Sequence, residues 1–364
     1  MSESSFDVAV IGGGPAGASA AITAARFGAR VMLLEAGAFP RHKVCGEFVS
    51  AESLDVLRDL LRSTPGVEQV IAAAPVIDRT RLLLGERVIE AHLSPPALSI
   101  PRFALDSLLW QAAQQAGVEA RSNCEVSAIR GDGPFHLDTS GGKVSARTVI
   151  VAAGRWSKFK TLTRLPNGPK WIGVKAHYRE TTPPRSTDLY FFEHGYCGVQ
   201  PVADDVVNVC AMVRPDRATS LEDVFPLHPA LAKRRRSWQG ITELVTTAPL
   251  LHLPPQPVRD NMMFVGDAAA FIDPFVGDGI SIALRSGRTA AMDLRAFLDG
   301  RNSVPSALKQ YQSNYARQFL PLITAASRIR RALSLPAPAR LIAFELLRAP
   351  GLMPFVIRKT RQAG

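Results

Sequence analysis

Three glycines near the start of the chain have the spacing of a phosphate-binding turn. Gly12, Gly14 and Gly17 follow an apolar run at residues 6–11 and precede an Ala-rich segment, so they lie between a predicted strand and a predicted helix. The first glycine permits a tight turn, the second lets a pyrophosphate approach the backbone, and the third lets the helix pack on the strand. The N–H groups of the helix N-terminus then favour an anion. The pattern predicts a dinucleotide site that includes Gly12, Gly14, Pro15, Ala16 and Gly17.

A carboxylate follows at the position that such a site uses for a ribose. Glu35 ends a second apolar run at residues 30–35. There it can accept hydrogen bonds from both ribose hydroxyls, and its charge disfavours a 2′-phosphate. The order strand, glycine-rich turn, helix, strand and terminal acid indicates a βαβ unit rather than a merely structural turn. We expect the neighbouring Ala36 to line the same site.

A second glycine-rich block lies more than two hundred residues downstream, at residues 264–280. Gly266 and Asp267 follow a predicted strand, where an aspartate can hold a ribityl hydroxyl of a flavin. The block then leads into a predicted helix whose N-terminal dipole would stabilise the negative charge that develops on a reduced flavin. Together the two blocks predict FAD, held in the second block by Gly266, Asp267, Pro274, Gly277, Asp278, Gly279 and Ile280.

With the segment Pro-Arg-His-Lys-Val-Cys-Gly at residues 40–46, these blocks resemble the FAD-dependent oxidoreductases of the para-hydroxybenzoate hydroxylase fold. Within them the sequence is most similar to the branch of geranylgeranyl reductases, flavin monooxygenases and flavin halogenases. The resemblance covers residues 6 to about 300. It implies an α/β fold, in which a Rossmann-like FAD-binding domain of the glutathione reductase type 2 class carries an inserted β-rich substrate domain and C-terminal helices.

The same resemblance sets the expected domain boundaries. We expect a discontinuous FAD-binding domain at residues 1–74, 100–168 and 255–303. The β-rich substrate domain is expected at residues 75–99 and 169–254, where short apolar runs alternate with turns. The remaining residues, 304–364, are helical in pattern, with predicted breaks at Pro321, Pro336, Pro338, Pro350 and Pro354.

The resemblance also implies further residues of the site. The loop after the second strand and three later positions are expected to contact FAD through Arg41, Lys43, Cys45, Gly46, Arg102, Val126 and Gly154. Arg41 and Lys43 would serve FAD phosphates or anchor the loop. Cys45 is the first candidate for catalysis, since a thiol near a flavin can donate a proton or can simply pack. His194 and Tyr196 are the other polar candidates. We expect non-covalent FAD, although a link at His42 or Cys45 is chemically possible.

Two departures from the family pattern bear on the reaction. The aromatic hydroxylases carry Asp-Gly where this chain has Ala153-Gly154, which argues against their way of handling a pyridine nucleotide. The halogenases carry Trp-x-Trp-x-Ile-Pro, which is absent here, and this argues against halogenation. The favoured function is monooxygenation of a hydrophobic, aromatic or polyketide-like substrate, with NADH or NADPH as external reductant. The alternatives are reduction of an isoprenoid double bond and a non-catalytic flavoprotein that binds a membrane or a partner.

The composition is that of a globular chain of 364 residues, 46% of them hydrophobic. Its four cysteines, Cys45, Cys124, Cys197 and Cys210, form no CxxC pair, so we expect neither a metal site nor a disulfide framework. We expect no signal peptide and no span across a bilayer. The predicted location is cytoplasmic, with peripheral membrane contact as a further option.

The charge is concentrated near the C-terminus. The net charge is +11. Residues 328–364 carry one acid, Glu345, against the basic residues Arg328, Arg330, Arg331, Arg340, Arg348, Arg358, Lys359 and Arg361. Such a cluster is usually a solvated face, and attraction to anionic lipid or to an acidic partner is the alternative. We expect no nucleic acid, because aromatic residues make up only 7% and do not interleave with the basic runs.

Overall fold

The computed structural model describes residues 5–156, 170–333, 335–349 and 351–353. Several predicted features lie outside these ranges: residues 157–168 of the predicted FAD-binding domain, the basic Arg358, Lys359 and Arg361, and the prolines Pro350 and Pro354. The strands are β1 (Ser5–Ile11), β2 (Val31–Leu34), β3 (Phe48–Val49), β4 (Val76–Leu84), β5 (Arg87–Ser99), β6 (Glu119–Arg121), β7 (Val126–Arg130), β8 (Phe135–Thr139), β9 (Gly142–Val151), β10 (Trp171–Arg179), β11 (Ser186–Phe192), β12 (Gly195–Ala203), β13 (Val206–Val213), β14 (Gln239–Gly240), β15 (Val245–Leu250), β16 (Val258–Arg259) and β17 (Met262–Phe264).

The helices alternate with these strands at the start of the chain and dominate its end. They are α1 (Pro15–Ala25), α2 (Ala51–Leu61), α3 (Val67–Ala73), α4 (Arg102–Gln115), α5 (Leu221–Val224), α6 (Pro229–Arg235), α7 (Gly279–Leu298), α8 (Val304–Leu333) and α9 (Ala337–Leu346). No helix among the described residues is long and apolar enough to cross a membrane.

The first sheet is the nucleotide-binding scaffold. Its main strands lie in the order β16-β17-β9-β1-β2-β6, and β7 and β8 extend it from β9. β1 pairs in parallel with β2 on one side and with β9 on the other. Residues 8–11 are buried without alternation, as expected for a parallel strand that is covered on both faces.

Two small residues let helices α1 and α7 pack against each other. A Cβ on Gly287 would lie 2.1 Å from the carbonyl oxygen of Ala16, so only glycine allows this approach. The Ser19 hydroxyl also donates to the Leu284 carbonyl at 2.7 Å. This contact joins the helix of the first glycine-rich block to the helix of the second, although the two are far apart in sequence.

The second sheet lies in the order β14-β10-β13-β12-β11-β4-β5-β3, with β15 also paired to β10. Most pairs are antiparallel, but β4 and β11 pair in parallel and so join two distant chain segments. Along β10 and β13 the residues alternate between two faces. Val174, Ala176, Val207 and Val209 pack into an apolar core with α5 and α6. Apart from β3 at its edge, the strands of this sheet come from residues 76–99 and 171–250. The exact domain boundaries stay a prediction.

Helix α8 corrects one expectation. The predicted break at Pro321 is wrong, because α8 runs through this residue. A proline inside a helix loses one hydrogen bond and costs about 3 kcal/mol. Tyr311, Tyr315 and Phe319 are fully buried on one face of α8, which indicates that packing offsets this cost. At Pro336 the helix does end, and Pro338 is accommodated in the first turn of α9.

The chain therefore has the predicted fold. A Rossmann-like α/β domain of the FAD-binding type is combined with a second, β-rich domain, and helices follow at the C-terminal end.

Candidate functional site

A cavity of about 650 Å³ lies where the two sheets meet. Its size is within the usual range for a cofactor or ligand site. Both glycine-rich blocks line it on one side, and the outward face of the second sheet lines it on the other. The predicted residues that line it are Gly12, Gly14, Pro15, Ala16, Glu35, Ala36, Arg41, Lys43, Cys45, Gly46, Arg102, Val126, Gly154, Tyr196, Gly266, Asp267, Pro274, Gly277, Gly279 and Ile280.

The glycines of the first block have different roles. A Cβ on Gly17 would lie 1.8 Å from the Gly12 carbonyl oxygen, and one on Gly12 would lie 2.4 Å from the Ala152 carbonyl oxygen. These two positions require glycine for the packing of the turn. At Gly14, the N-cap of α1, the nearest atom to a Cβ is the Arg102 Nη2 at 3.9 Å, and no side chain caps the helix. Gly14 therefore presents an open, donor-rich helix N-terminus to the cavity.

Glu35 is already surrounded by donors. Its carboxylate accepts hydrogen bonds from the backbone N–H groups of Gly13 at 2.8 Å and Gly37 at 2.9 Å. Arg41 contributes two more, at 2.5 and 2.9 Å. Burial alone opposes ionisation, but the bonds from Arg41 and the backbone outweigh it, so the pKa of Glu35 lies below its usual range. Arg41 thus anchors the loop on Glu35, and a ribose bound there must share the carboxylate with Arg41 or displace it.

A fixed positive charge lies beside the phosphate-binding turn. Arg102 forms a two-point ion pair with the buried Asp106, with Nε and Nη2 at 2.7 and 2.8 Å from the carboxylate oxygens. Burial opposes the charged guanidinium, but the attraction of Asp106 prevails and raises the pKa of Arg102. A guanidinium held in this way provides a pre-positioned partner for an anionic group near Gly14.

The second block brings another helix N-terminus to the same cavity. Gly279 begins α7, has no atom within 4 Å of a Cβ position, and follows an N-cap without a capping side-chain hydrogen bond. Asp267 lines the cavity, and its Oδ2 lies 3.9 Å from the Arg155 Nε. Asp278, by contrast, is buried and does not line the cavity. Gly17 also lies outside the lining, because it faces Gly12.

The loop at residues 41–47 connects the two sheets at the cavity. Val44 packs against β10 so closely that a Cβ on Gly173 would lie 2.7 Å from it. Asn208 of β13 donates through Nδ2 to the Cys45 carbonyl at 3.0 Å. The Cys45 thiol lines the cavity, and its Sγ accepts from the Glu47 N–H at 3.3 Å. Cys45 is therefore held at the junction of the cofactor side and the wall of the second sheet.

A buried charged cluster fastens the same loop, and sequence analysis missed it. Glu47 is completely buried, with φ +62°. Its Oε1 accepts from the Lys175 Nζ and, at 2.8 Å, from the Arg102 N–H, while the His177 Nε2 lies 2.8 Å from Oε2. Burial opposes ionisation, but His177 and Lys175 outweigh it and hold the pKa of Glu47 below its usual range. We name Glu47, Lys175 and His177 the loop clamp.

A weak signal for the loop clamp was present in the sequence. Lys175 and His177 alternate with Val174, Ala176 and Tyr178 along β10, and these three face the apolar core. Polar residues at alternate positions of a strand indicate one face that does not join the core. The sequence does not show that this face looks toward a loop 130 residues away, because only the strand register of the second sheet brings them together.

Of the three predicted catalytic residues, two line the cavity and one does not. Cys45 and Tyr196 line the cavity, and burial raises the pKa of Tyr196 well above its usual range. His194 does not line it. This residue has φ +62° in the turn between β11 and β12, where its Nε2 lies 3.2 Å from the carboxylate of Glu193.

Large apolar side chains gather at the far end of the cavity. Side chains of β11, β12, β13 and β15 and of the segment before α7 surround the far end of the cavity, namely Leu189, Tyr196, Met212, Leu250, Phe271 and Phe275. Leu341, Phe344 and Leu347 of the C-terminal region belong to the same apolar cluster. The cavity thus joins a polar end with helix N-termini to an apolar end that is covered from outside by α9.

A family model described as FAD dependent oxidoreductase matches residues 39–291, and a second model with the same description matches residues 7–53. The chain belongs to the FAD dependent oxidoreductases. Membership implies FAD, and the cavity fits it. The helix N-termini of α1 and α7, the open Gly14 and the Arg102 guanidinium line one cavity, and these are the groups that a pyrophosphate and a reducible ring require.

Individual relatives differ in what they do. The oxidoreductase is 27% identical over 87% of its length to conditioned medium factor receptor 1 of Dictyostelium discoideum, covering 68% of that protein. It is 26% identical over 97% of its length to menaquinone reductase of Mycolicibacterium smegmatis, covering 90% of that protein. The solved structure of the flavin-dependent brominase Bmp2 superposes with a TM-score of 0.81 at 20% identity, over 98% of this chain and 94% of that one. At this identity the brominase supports the fold alone.

Proposed function

We propose that this oxidoreductase uses FAD and an external NADH or NADPH to reduce a hydrophobic small molecule. One observation carries the proposal. The Cys45 thiol lies in the cavity between the helix N-termini of the cofactor side and the apolar wall of the second sheet. The likeness to a menaquinone reductase over almost the whole chain supports reduction of a lipophilic compound.

Bound FAD would supply the redox chemistry, taking two electrons from the nicotinamide and passing them on as a hydride. The chain's own residues bind and orient. The N–H groups at the start of α1 and the Arg102 guanidinium would hold the pyrophosphate of FAD, and Glu35 would accept from its ribose. The N-terminus of α7 would favour negative charge on the flavin.

We assign the second half of the reduction to Cys45. Hydride addition to one carbon of a double bond leaves the other carbon in need of a proton. The thiol can give that proton and regain one from solvent, because Cys45 is only half-buried. The loop clamp ties the loop of this thiol to the second sheet, and the bond from the Arg102 N–H to Glu47 ties it to α4.

Monooxygenation of a hydrophobic substrate is the second candidate. Its support is the apolar end of the cavity, which α9 covers. An oxygen-activating flavin needs such shelter from water. Both reactions use the same cofactor side, and they differ in whether O₂ or the substrate itself oxidises the reduced flavin.

The test is a stopped-flow measurement on the purified, flavin-loaded protein. After anaerobic reduction, the protein is mixed with menaquinone in detergent without O₂, and separately with O₂ in the presence of aromatic substrates. The expected result is flavin reoxidation by menaquinone in the absence of O₂, with a product that still carries two added hydrogens in mass spectrometry after its quinone ring has been reoxidised in air. Hydrogens retained in this way lie on a former carbon–carbon double bond and not on the ring oxygens. Reoxidation only with O₂, with an oxygen atom added to the substrate, would support the monooxygenase instead.

Two controls complete this experiment. Cys45→Ala should keep the flavin spectrum and lower the rate of anaerobic reoxidation roughly 10²-fold or more, as loss of a proton donor does. A preparation that contains no flavin and gains none when FAD is added would contradict both reactions and favour a non-catalytic role.

A further inference from the structure

Helix α9 has two apolar faces, of which only one is buried. Phe344 is 3% exposed and, with Leu341 and Leu347, packs into the apolar cluster that includes Tyr196 and Phe271 of the cavity wall. On the opposite side, Ile342 is 64% exposed and Leu346 is 61% exposed. These two residues are four positions apart, so they form one continuous strip on the outer surface of the helix.

The C-terminal region that carries the strip is basic, and Arg87 and Arg348 lie beside Ile342 and Leu346. Arg328 and Arg331 near the end of α8 and Arg348 after α9 are exposed. Residues 301–353 contain a single acid, Glu345. Its carboxylate is neutralised by two arginines, with the Arg87 Nε at 2.7 Å and the Arg348 Nη1 at 3.1 Å. No uncompensated negative charge therefore borders the strip within the described part of the C-terminal region.

Further apolar side chains extend this surface. Leu335, just before α9, is 42% exposed, and Val88 of β5 is 39% exposed. Arg348 donates to the Val88 carbonyl at 3.4 Å, which brings the turn between β4 and β5 next to α9. A shallow groove runs between them, lined by Arg87, Leu341, Ile342, Glu345, Leu346, Arg348 and Ala349.

We propose that the outer face of α9 docks on the surface of an anionic lipid bilayer. A helix with large aliphatic side chains on one face and arginines around them is suited to lie in the interface, where the aliphatic groups enter the acyl boundary and the arginines contact anionic headgroups. A protein partner usually places its anchors in a well-packed pocket, whereas this groove is shallow and Ile342 and Leu346 are more than half exposed. Because this region is basic, we assign the surface to an anionic lipid bilayer.

This surface gives α9 a role in substrate access, and that consequence rests on the proposed function. The inner face of α9 covers the apolar end of the cavity, and its outer face would contact the bilayer. Among the described residues, α9 and the neighbouring start of β5 would then separate a lipid-dissolved substrate from the apolar end of the cavity. The geometry thus points to substrates that reside in membranes rather than to water-soluble aromatics.

The experiment is co-sedimentation of the full-length, flavin-loaded protein with vesicles, without any substrate. Binding to phosphatidylcholine vesicles that contain phosphatidylglycerol is expected, with much weaker binding to pure phosphatidylcholine and weaker binding at high salt. The double variant Ile342→Glu/Leu346→Glu should lower the vesicle affinity by at least about tenfold. Met292→Glu on α7 is the matched control, because Met292 is 47% exposed on a different helix, and it should bind as the unchanged protein does.

Several outcomes would overturn the proposal. Equal binding to neutral and anionic vesicles, or full binding by the double variant, contradicts an anionic bilayer as the occupant. A concentration-dependent dimer in sedimentation velocity that the double variant abolishes would assign the strip to a second copy of the chain. Flavin absorbance and thermal unfolding verify that each variant is folded. Because no substrate is present, vesicle binding can fail while menaquinone is still reduced in detergent, and the reverse can also occur.

Discussion

The two sides of the cavity are built in different ways. On the cofactor side, the groups that face the cavity include backbone N–H groups at two helix N-termini, exposed by glycines such as Gly14 and Gly279. On the side of the second sheet they are side chains from alternate positions of neighbouring strands, such as Tyr196, Asn208 and Met212. A backbone site depends on local spacing, whereas a side-chain wall depends on the register between strands. The cofactor side should therefore be sensitive to side-chain atoms added at its glycines. The side of the second sheet should be sensitive to the loss of a hydrogen-bond or ion-pair partner.

The largest effect is expected at a glycine of the first block. Gly17→Ala places a Cβ 1.8 Å from the Gly12 carbonyl oxygen, so the turn has to shift and the free energy of unfolding should fall by about 3 kcal/mol or more. Gly14→Ala is the matched control, because its Cβ meets nothing closer than 3.9 Å. The control should unfold at the normal temperature without FAD and bind FAD more weakly. Thermal unfolding with and without FAD measures both, and equal melting temperatures for the two variants would contradict the distinction.

Loss of a charged partner in the loop clamp should have an effect of comparable size. Glu47→Gln leaves Lys175, which is 1% exposed, without its counter-charge, and the free energy of unfolding should fall by about 3–5 kcal/mol. Glu47→Gln/Lys175→Met should regain part of this loss, because a neutral side chain at position 175 needs no counter-charge. Urea denaturation provides the values. Glu119→Gln removes an exposed pair with Arg121 and should cost less than about 1 kcal/mol. A loss no larger than that control would show that the clamp does not stabilise the fold.

A substitution at Glu35 tests whether a side chain also contributes to FAD affinity on the cofactor side of the cavity. Glu35→Gln weakens charged hydrogen bonds worth about 1.5–3 kcal/mol, so FAD affinity should fall roughly 10- to 100-fold in a fluorescence titration. Asp55→Asn, at an exposed residue of α2, should leave the affinity unchanged. Unaltered affinity in Glu35→Gln would mean that Arg41 retains the carboxylate and that the ribose binds elsewhere.

Acid should weaken the loop clamp in a defined pH window. The pKa of Glu47 is lower in the folded protein than in the unfolded chain, so its contribution to stability is complete above the unfolded pKa and is lost as the pH falls through the folded value. The stability difference between the unchanged protein and Glu47→Gln should be constant above about pH 5 and shrink below about pH 4. Urea denaturation across this range measures it. A difference that grows on acidification would contradict an ionised Glu47.

The smallest effect concerns the thiols. Cys45 and Cys210 are half-buried and line the cavity, whereas Cys124 and Cys197 are buried. Burial and the neighbouring Cys45 raise the pKa of Cys210 to about 12. Iodoacetamide should therefore modify Cys45 first, and FAD should slow that reaction by partial coverage of the cavity. Mass spectrometry of peptides identifies the site, with the denatured protein as control. Faster modification of Cys210 would contradict this order.

The sequence predicted the cofactor side because its information is local. Gly12, Gly14, Gly17 and Glu35 lie within one βαβ unit, and each has a steric or electrostatic reason that requires no knowledge of the rest of the chain. This pattern and the second block predicted the fold and the family, and both predictions were confirmed. The loop clamp was missed because Glu47 and Lys175 are 128 residues apart and meet only through the register of β10. Pro321 was misjudged because buried aromatic side chains of α8 offset its local cost.

The loop clamp also defines which parts of this chain can be exchanged together. A chimera that replaced the strands at residues 76–99 and 171–250 with strands lacking a basic residue at positions 175 and 177 would retain Glu47 and leave an isolated acid in the interior. The unit that can be exchanged intact is therefore the second sheet together with the loop at residues 41–47, because the charges that attach the cavity wall to the cofactor side come from both.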